Sequence, residues 1–187
     1  MPSLLLTTSR KTSNRVRAFV RDLSSVLPGV ERFNRGGMGL PELVARINRN
    51  GANAAIVISL WRGNPGEMTV ISSKGEEIIN IRLESALLRR EVNPTGPSRI
   101  RRVDCVLIKT GSSYSAKVLA ENIASLLNIE ISENVNPNEA PMDKTQSFIW
   151  FEDGSSGKIL WTHYNTINGT EIGPRIRVSA VRRRSIK

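Results

Sequence analysis

Cysteine and histidine are almost missing from this chain of 187 residues, which contains one of each, Cys105 and His163. A single cysteine cannot form an intrachain disulfide or a thiolate zinc site, and a single histidine lacks the partner of a metal-binding pair. Cys105 lies in the apolar run VDCVLI, so we expect a buried structural thiol in a protein of a reducing compartment. No metal site is predicted.

Long apolar runs are also missing, because none approaches the roughly 20 residues that a helix needs to span a bilayer. The first residues lack the charged segment and cleavage site of a secretory signal. We therefore expect a soluble cytoplasmic protein, nucleolar only if its source is a eukaryote, without membrane contact. The segment Gly36-Gly37-Met38-Gly39 lacks the lysine and the preceding strand of a nucleotide-binding loop, so no cofactor is predicted.

Aromatic residues are scarce, at 5% of the chain. No predicted strand carries the aromatic signature with which some RNA-binding sheets stack bases. The three tryptophans, Trp61, Trp150 and Trp161, lie on predicted strands, and we expect them to pack in the core or on the sheet. If the partner is RNA, binding should depend mainly on phosphate and shape, and therefore strongly on salt.

The chain has fewer acidic than basic residues, and most of its basic residues are arginine. The chain has 27 Lys+Arg and 17 Asp+Glu, a net charge of +10, and 20 of the 27 cations are arginine. The excess is +6 in residues 1–93 (14 minus 8) and +4 in residues 94–187 (13 minus 9). A guanidinium group can donate two parallel hydrogen bonds to a phosphate and can stack on a base. This composition therefore favours RNA as the partner over a membrane or an acidic protein. A thermophilic or genomic bias toward arginine is the alternative.

Hydrophobic periodicity predicts strands and helices in two similar series. The first series contains strands at Leu4 to Thr7, Ala54 to Trp61, Met68 to Ser72 and Ile79 to Leu83, and helices at Thr12 to Leu27, Leu40 to Asn50 and Leu87 to Arg90. The Pro28-Gly29 pair should stop the first helix, and residues 62–66 should form a hairpin turn. The second series contains strands at Asp104 to Lys109, Ser147 to Phe151, Lys158 to Tyr164 and Ile172 to Val181, and a helix at Ser113 to Leu127.

The two series predict one domain, residues 1–187, made of an N-terminal half (1–93) and a C-terminal half (98–187). Asn93-Pro94-Thr95-Gly96-Pro97 is the Pro/Gly linker between them. We expect an α+β fold in which each half is a mixed sheet packed with helices. Small hydroxyl residues join the first strand to its helix in both halves, and they indicate helix caps rather than phosphate binding.

The predicted first helix has an apolar stripe on one side and a basic face on the other. The stripe contains Val16, Phe19, Val20, Leu23, Val26 and Leu27 at helical spacing. The opposite face contains four candidate RNA-binding residues, Arg10, Asn14, Arg17 and Arg21. A solvated basic face is the plainer interpretation.

Further candidate RNA-binding arginines lie in loops and near the C-terminus. We assign Arg35 and Arg32 to the loop with the sequence FNRGG (33–37), which Arg32 immediately precedes, and Arg62 to the WRGNPG hairpin. On the terminal strand Ile176, Val178 and Ala180 should face the core while Arg175, Arg177 and Ser179 face away. A basic tail follows, with Arg182, Arg183, Arg184 and Lys187. The tail alternatively serves only solubility.

Four segments in order resemble the Brix-domain proteins of ribosome biogenesis, most closely their Imp-four-like branch. They are LLLTTSRKTSNR near the N-terminus, PGVERFNRGG at 28–37, WRGNPGEMTVIS at 61–72 and EIGPRIRVSAVRRR at 171–184. The resemblance implies two halves, each like the anticodon-binding domain of class II aminoacyl-tRNA synthetases. It also implies a non-catalytic factor that binds pre-ribosomal RNA and assembly proteins and assists rRNA processing and subunit assembly. The compact chain resembles the stand-alone archaeal form.

Two other functions stay open at the level of sequence. A metal-dependent nuclease would use Glu152-Asp153, although carboxylates at a hairpin turn commonly serve turn geometry. A protein-interaction scaffold would instead dock an acidic assembly factor on the basic surface. No catalytic residue is predicted, and the oligomeric state is not predicted either.

Overall fold

The computed structural model describes residues 3–27, 29–96, 100, 103–139 and 147–184. Pro28, Pro97, Lys187 and the predicted start of the C-terminal half at residue 98 lie outside the described residues. The described part contains one ten-stranded sheet with helices on both faces. The predicted α+β class, with helices packed on a mixed sheet, is confirmed.

The helices and strands follow the two predicted series closely. The strands are β1 (Leu4–Thr8), β2 (Val30–Arg32), β3 (Ala54–Trp61), β4 (Asn64–Ser72), β5 (Glu77–Leu87), β6 (Val103–Lys109), β7 (Glu130–Asn134), β8 (Ser147–Asp153), β9 (Ile159–Asn165) and β10 (Arg175–Arg183). The helices are α1 (Asn14–Val26), α2 (Leu40–Arg49), α3 (Arg89–Val92) and α4 (Tyr114–Leu127). The prediction missed β2 and β7, because both are short strands of mainly exposed residues without an alternating pattern.

The strand order is β2-β1-β3-β4-β5-β10-β9-β8-β6-β7. In the first five strands β1 lies parallel to β2 and β3, and β3, β4 and β5 run antiparallel. The last five repeat this arrangement, with β6 parallel to β7 and β8, and β8, β9 and β10 antiparallel. The antiparallel pair β5 and β10 joins them. This mirrored order agrees with a duplication, and the division into two halves stays a prediction.

Helices α1 and α4 cover one face of the sheet and enclose the main core. The predicted stripe of α1 is buried, with Val16, Phe19 and Leu23 at 0% exposure. From the sheet, alternate residues such as Leu4, Ile56 and Phe151 join the same cluster. This packing fixes the opposite side of α1 toward solvent, so its basic face is available to a partner.

The other face of the sheet is covered only in parts. In the N-terminal half α2 packs Leu43 and Ile47 onto Leu5 and Val57. In the C-terminal half a smaller cluster contains Leu107, Phe148 and Trp150, with Cys105 half-buried against it. The expectation of a fully buried Cys105 is therefore wrong, because β6 turns this side chain toward the less covered face.

The terminal strand departs from simple alternation. Ile176 and Val178 are buried in the core as predicted, but the pairing of β10 with β5 shifts register between Arg177 and Ala180. The extra residue of a β-bulge reverses the sides that follow it. Val181, not Ala180, therefore packs against the core.

Among the described residues, no helix has the length and apolar character to cross a membrane.

Candidate nucleic-acid interface

A crevice of about 330 Å³ lies where β1 and β2 end and α1 begins. We call it the arginine crevice, because Arg10, Arg17, Arg32 and Arg35 all line it. Its other lining residues are neutral: Thr8, Ser9, Thr12, Val20, Phe33, Asn34 and Gly36. The structure thus brings together four predicted RNA-binding residues that lie up to 25 positions apart in the sequence.

The fold places these residues together because β1 and β2 are parallel. Their carboxyl ends meet at the same sheet edge, and both following loops start there. The Thr7 hydroxyl donates to the Phe33 carbonyl at 2.9 Å and holds the second loop against the first strand. The neighbouring start of α1 adds the positive end of a helix dipole. An anion in the arginine crevice would meet the four arginine side chains and lie near the positive end of this helix dipole.

Hydrogen bonds fix parts of the arginine crevice in advance. Arg17 donates through Nη2 to Asn14 Oδ1 at 2.5 Å, and Arg35 donates through Nε to the Met38 carbonyl at 2.9 Å. The hydroxyl oxygen of Thr12 is buried and has no hydrogen-bond partner in the described part of the chain. Arg17 and Arg35 are therefore oriented before any ligand arrives, which reduces the entropy lost on binding, and the Thr12 hydroxyl has hydrogen-bonding capacity left for a ligand.

Burial and the positive charge of Arg10 lower the pKa of the Arg35 guanidinium. An arginine still keeps its proton at neutral pH because its ordinary pKa is far higher. Burial, the larger cause, makes the charged form of Arg35 costly, and the nearby charge of Arg10 adds to that cost. A bound anion relieves that cost, so the arginine crevice is suited to phosphate.

The hairpin between β3 and β4 brings Arg62 to the same end of the N-terminal half. Ser13 caps α1 by accepting a hydrogen bond from the Val16 amide, and its hydroxyl donates to the Gly63 carbonyl at 2.7 Å. Only Arg62 and Gly63 form the loop, because Trp61 pairs with Asn64. The predicted five-residue turn is therefore wrong: Asn64, Pro65 and Gly66 belong to β4.

Arg21 extends the basic face one helical turn beyond Arg17. Its side chain is 65% exposed, and its Nε lies 4.0 Å from the Asp22 carboxylate. That carboxylate also accepts a hydrogen bond from the Arg89 amide, so Asp22 serves the contact between α1 and α3. Arg21 is therefore only weakly paired and stays accessible to a ligand.

The arginines of β10 lie elsewhere. β10 is four strand spacings from β1, roughly 19 Å at about 4.8 Å per strand. Arg175 pairs with Glu171 through both Nε and Nη2, and Arg177 pairs with Glu84 at 3.1 Å and donates to Ser155. Each guanidinium group thus has a carboxylate partner, and Glu84 is shared with Lys158 at 3.9 Å. The predicted set of twelve residues thus divides into the arginine crevice with its surroundings and a separate, partly neutralised strand.

Arg182, Arg183 and Arg184 are exposed at the end of β10. Arg182 pairs with Asn80 and Arg183 with Ile79 of β5, so the first two belong to the sheet rather than to a tail. The Arg184 amide also bonds to the Ile78 carbonyl at 3.3 Å. Together they form a second basic patch, which backbone hydrogen bonds to β5 hold in place.

Acidic side chains surround the corresponding junction of the C-terminal half, where β6 meets α4. The Asp153 carboxylate accepts hydrogen bonds from the Ser113 amide and hydroxyl, both at 2.6 Å. Glu152 lies 3.6 Å from Lys109, and Glu133 lies 2.9 Å from Lys117. We call this the acidic junction. A carboxylate of the protein already occupies the place that an incoming anion would take.

These contacts weaken the hypothesis of a metal-dependent nuclease, because they give Glu152 and Asp153 structural roles. Glu152 and Asp153 hold a lysine and a helix cap, and within the described ranges no three His, Cys, Asp or Glu residues are grouped as a metal site. His163 is buried and accepts a hydrogen bond from Trp161 Nε1 at 3.2 Å, with its Nδ1 3.0 Å from the Pro174 carbonyl. Burial lowers the pKa of His163 to about 4. The histidine is neutral and structural.

Sequence reasoning missed two functional features. Arg15 forms a two-pronged ion pair with Glu91 at 2.7 and 2.9 Å and bonds to the Ala86 carbonyl, so it anchors α1 and does not face a ligand. Trp61 is 67% exposed, which makes the expectation of a packed residue wrong, whereas Trp150 and Trp161 are buried as predicted. Trp61 is the last residue of β3, at the hairpin, whereas Trp150 and Trp161 lie within β8 and β9 and belong to core clusters.

Comparison with known proteins finds similar chains along most of the sequence. A probable Brix domain-containing ribosomal biogenesis protein of Aeropyrum pernix is 39% identical over 90 residues, 46% of this chain and 50% of that protein. The U3 small nucleolar ribonucleoprotein protein IMP4 of Bos taurus is 24% identical over 184 residues, 95% of this chain and 59% of that protein. No family model matches.

A solved structure has the same fold. The crystal structure of a probable ribosomal biogenesis protein from Aeropyrum pernix K1 superposes with a TM-score of 0.75, covers 94% of both chains and is 27% identical in sequence. The chain spans about half the length of the first curated relatives that it matches.

Proposed function

We propose that this chain, which belongs to the Brix-domain family of ribosome biogenesis proteins, binds pre-ribosomal RNA and assists rRNA processing and subunit assembly without chemistry of its own. The predicted resemblance to that family is confirmed by its archaeal and Imp4 relatives. The partners in this proposal are pre-ribosomal RNA and other assembly proteins. The proposed location is where ribosomes are assembled, the cytoplasm or, in a eukaryote, the nucleolus.

The observation that carries the proposal is the arginine crevice. Four arginines converge on one concavity beside a helix N-terminus, and none of its described lining residues is acidic. A guanidinium group binds phosphate through two parallel hydrogen bonds, so several such groups match successive phosphates of a nucleic acid strand. The arginines of the crevice contribute affinity that falls with salt and depends little on sequence.

We also propose that the two halves, residues 1–93 and 98–187, are related by duplication and have divided their roles. The mirrored strand order supports the duplication. The arginine crevice supports RNA binding by the N-terminal half, and the acidic junction supports a structural role for its counterpart. The basic patch at Arg182 to Arg184 would add a second, more distant phosphate contact.

In-cell crosslinking followed by sequencing of the attached RNA tests the proposal. We expect crosslinks concentrated on one region of precursor rRNA, lost in Arg17→Glu/Arg32→Glu and kept in the matched control Arg49→Glu/Arg90→Glu, whose arginines are exposed outside the crevice. Crosslinks scattered over unrelated transcripts, or none, would show that the basic surface serves solubility or docks a protein.

A further inference from the structure

Trp61 is the exposed tryptophan of this chain, with 67% of its surface accessible, while Trp150 and Trp161 are 1% and 0% exposed. It stands at the tip of the β3–β4 hairpin beside Arg62, whose guanidinium carbon lies 5.5 Å from the centre of the indole ring. A large exposed aromatic side chain loses hydrophobic stabilisation unless a partner covers it. The core clusters of the described residues do not include this indole.

The hairpin holds the indole in a defined position. Arg62 and Gly63 both have positive φ, 47° and 82°, as a tight two-residue turn requires. A side chain at Gly66 would place its Cβ only 2.4 Å from the Cβ of Trp61, so glycine is required there. Arginine is an unusual residue at positive φ, where asparagine or glycine is preferred. The turn keeps a strained arginine next to the indole.

Trp61 also forms one wall of a cavity of about 510 Å³. That volume lies within the range of small-molecule sites, roughly 300–1,000 Å³. Gly66, Leu60 and Leu83 supply apolar lining, and Glu67 and Arg82 supply one charge of each sign. In the described part of the chain the Arg82 guanidinium makes no ion pair, and the Glu67 carboxylate accepts only from the Thr69 hydroxyl, at 3.3 Å. Donor and acceptor capacity is therefore left for a ligand.

This cavity adjoins the arginine crevice through the hairpin. The Ser13 hydroxyl at the start of α1 bonds to the Gly63 carbonyl of the hairpin loop, and β1 pairs with β3 up to Thr8 and Ile58. Both sites therefore lie at the same end of the N-terminal half, where one RNA strand would meet the arginine crevice and Trp61.

We propose that Trp61 and its cavity bind an unpaired nucleobase of the RNA. This inference rests on the proposed function and adds a preference for unpaired bases to the binding of phosphates. The base stacks on the indole, Arg82 donates to a ring or carbonyl acceptor, and Glu67 accepts from an exocyclic amine. A base inside a continuous duplex cannot reach this site, because both its faces are already stacked. The protein therefore selects a loop, bulge or single-stranded segment.

A protein side chain is the competing occupant, since exposed tryptophans are common hot spots of protein interfaces. The surroundings favour RNA. Arg82 balances Glu67 in the cavity lining, Arg62 adds a positive charge beside Trp61, and the described lining of the arginine crevice has four arginines and no carboxylate. The Trp61 ring matches the face of a base, Arg82 and Glu67 match its hydrogen-bonding edge, and the arginine crevice matches the phosphates.

The test uses the full chain and two RNAs with equal numbers of phosphates, a blunt duplex and a hairpin with an unpaired loop. Trp61→Leu removes the ring, Trp61→Phe keeps an aromatic surface, and Tyr114→Leu is the matched control, because Tyr114 is 83% exposed at the acidic junction. We expect Trp61→Leu to weaken loop RNA about 10-fold, as for loss of one stacked base. Trp61→Phe recovers part of this affinity, and Tyr114→Leu changes nothing.

Tryptophan fluorescence gives an independent readout, because the other two tryptophans are buried. We expect loop RNA to quench the emission of the wild type and not that of Trp61→Leu. Equal weakening of both RNAs, or no weakening, would overturn the inference while leaving RNA binding intact. Loss of capture of an assembly protein with unchanged RNA affinity would assign Trp61 to a protein interface instead. If neither RNA binds the wild type, the proposed function itself fails.

Discussion

The two strand-to-helix junctions have the same backbone arrangement and opposite electrostatics. At the first, β1 leads into α1 through a serine cap whose hydroxyl bonds to the Gly63 carbonyl, and four arginines line the adjoining crevice. At the second, β6 leads into α4 through a serine cap that is held by the Asp153 carboxylate. A helix N-terminus favours an anion in both places. The acidic junction supplies that anion itself, and the arginine crevice leaves the place open.

This difference shows which feature identifies the candidate phosphate site when two junctions have the same backbone arrangement. A motif of small hydroxyl residues before a helix is common to both junctions, so it cannot identify a phosphate site. The discriminating feature is the charge that other parts of the chain bring to the motif. Arg32 comes from the end of β2, Arg35 from the loop after it, and Asp153 from the end of β8.

Charge reversal in the arginine crevice should give the largest effect. We expect Arg17→Glu/Arg32→Glu to weaken RNA binding about 1,000-fold, roughly 4 kcal/mol, because two phosphate contacts are lost and two repulsive charges are added. The reversal Lys109→Glu/Lys117→Glu at the acidic junction should weaken it by less than about threefold. Titration of labelled rRNA fragments measures both. Equal losses would mean that net charge, and not the crevice, decides binding.

Acid should destabilise the C-terminal half through His163, for which the N-terminal half has no counterpart histidine. The folded-state pKa is lowered to about 4, below the ordinary value of about 6.5. Between these values the unfolded chain binds the proton and the folded chain does not, so stability falls as the pH drops. We expect a loss of about 3 kcal/mol across that window.

Urea unfolding between pH 7 and pH 4 measures this loss, with His163→Gln as the comparison. The variant is less stable at neutral pH because it disturbs the bonds to Trp161 and Pro174. Its stability should nevertheless depend less on pH than that of the wild type. Parallel pH profiles would show that other groups cause the acid sensitivity.

Removal of the carboxylate at the acidic junction should separate folding from binding. Asp153→Asn weakens the cap of α4, and we expect it to lower the free energy of unfolding by about 1 kcal/mol. RNA affinity should stay at or slightly above that of the wild type, because a negative charge is lost. Thermal melts and RNA titration check the two parts. A large loss of RNA affinity would contradict a structural role for this junction.

The smallest expected effects are those of neutralising single arginines of α1, and they should differ between Arg15 and Arg17. Arg15→Gln breaks the half-exposed ion pair with Glu91, and we expect a loss of about 1 kcal/mol in stability without a change in RNA affinity. Arg17→Gln, two residues away, should weaken RNA binding several-fold without a change in stability. If both variants behave alike, the division of α1 into anchoring and binding arginines is wrong.

Local patterns made much of this structure predictable. The apolar stripe of α1, the continuous apolar run of β3 and the candidates Arg10, Arg17, Arg32 and Arg35 depend on residues near one another in sequence. The structure places all four arginines in one crevice. The resemblance to Brix-domain proteins was recognised for the same reason, from four short segments.

Long-range pairing accounts for most of what the sequence did not reveal. The partners of Arg177 and Arg15 lie 93 and 76 positions away, at Glu84 and Glu91, so their neutralisation has no local signal. The exposure of Trp61 follows from the position of the hairpin loop, which makes it the last residue of β3, paired with Asn64. The bulge in β10 depends on its pairing with β5, which periodicity within one strand does not specify.

The salt dependence of RNA binding tests the central claim most directly, since its slope counts the phosphate contacts of the protein. We expect Arg17→Gln/Arg32→Gln to reduce the slope of log affinity against log salt by about 2, one for each contact. The control Lys109→Gln/Lys117→Gln at the acidic junction should leave the slope unchanged. A slope that is the same in the wild type and the Arg17→Gln/Arg32→Gln variant would show that the arginine crevice does not hold RNA phosphates.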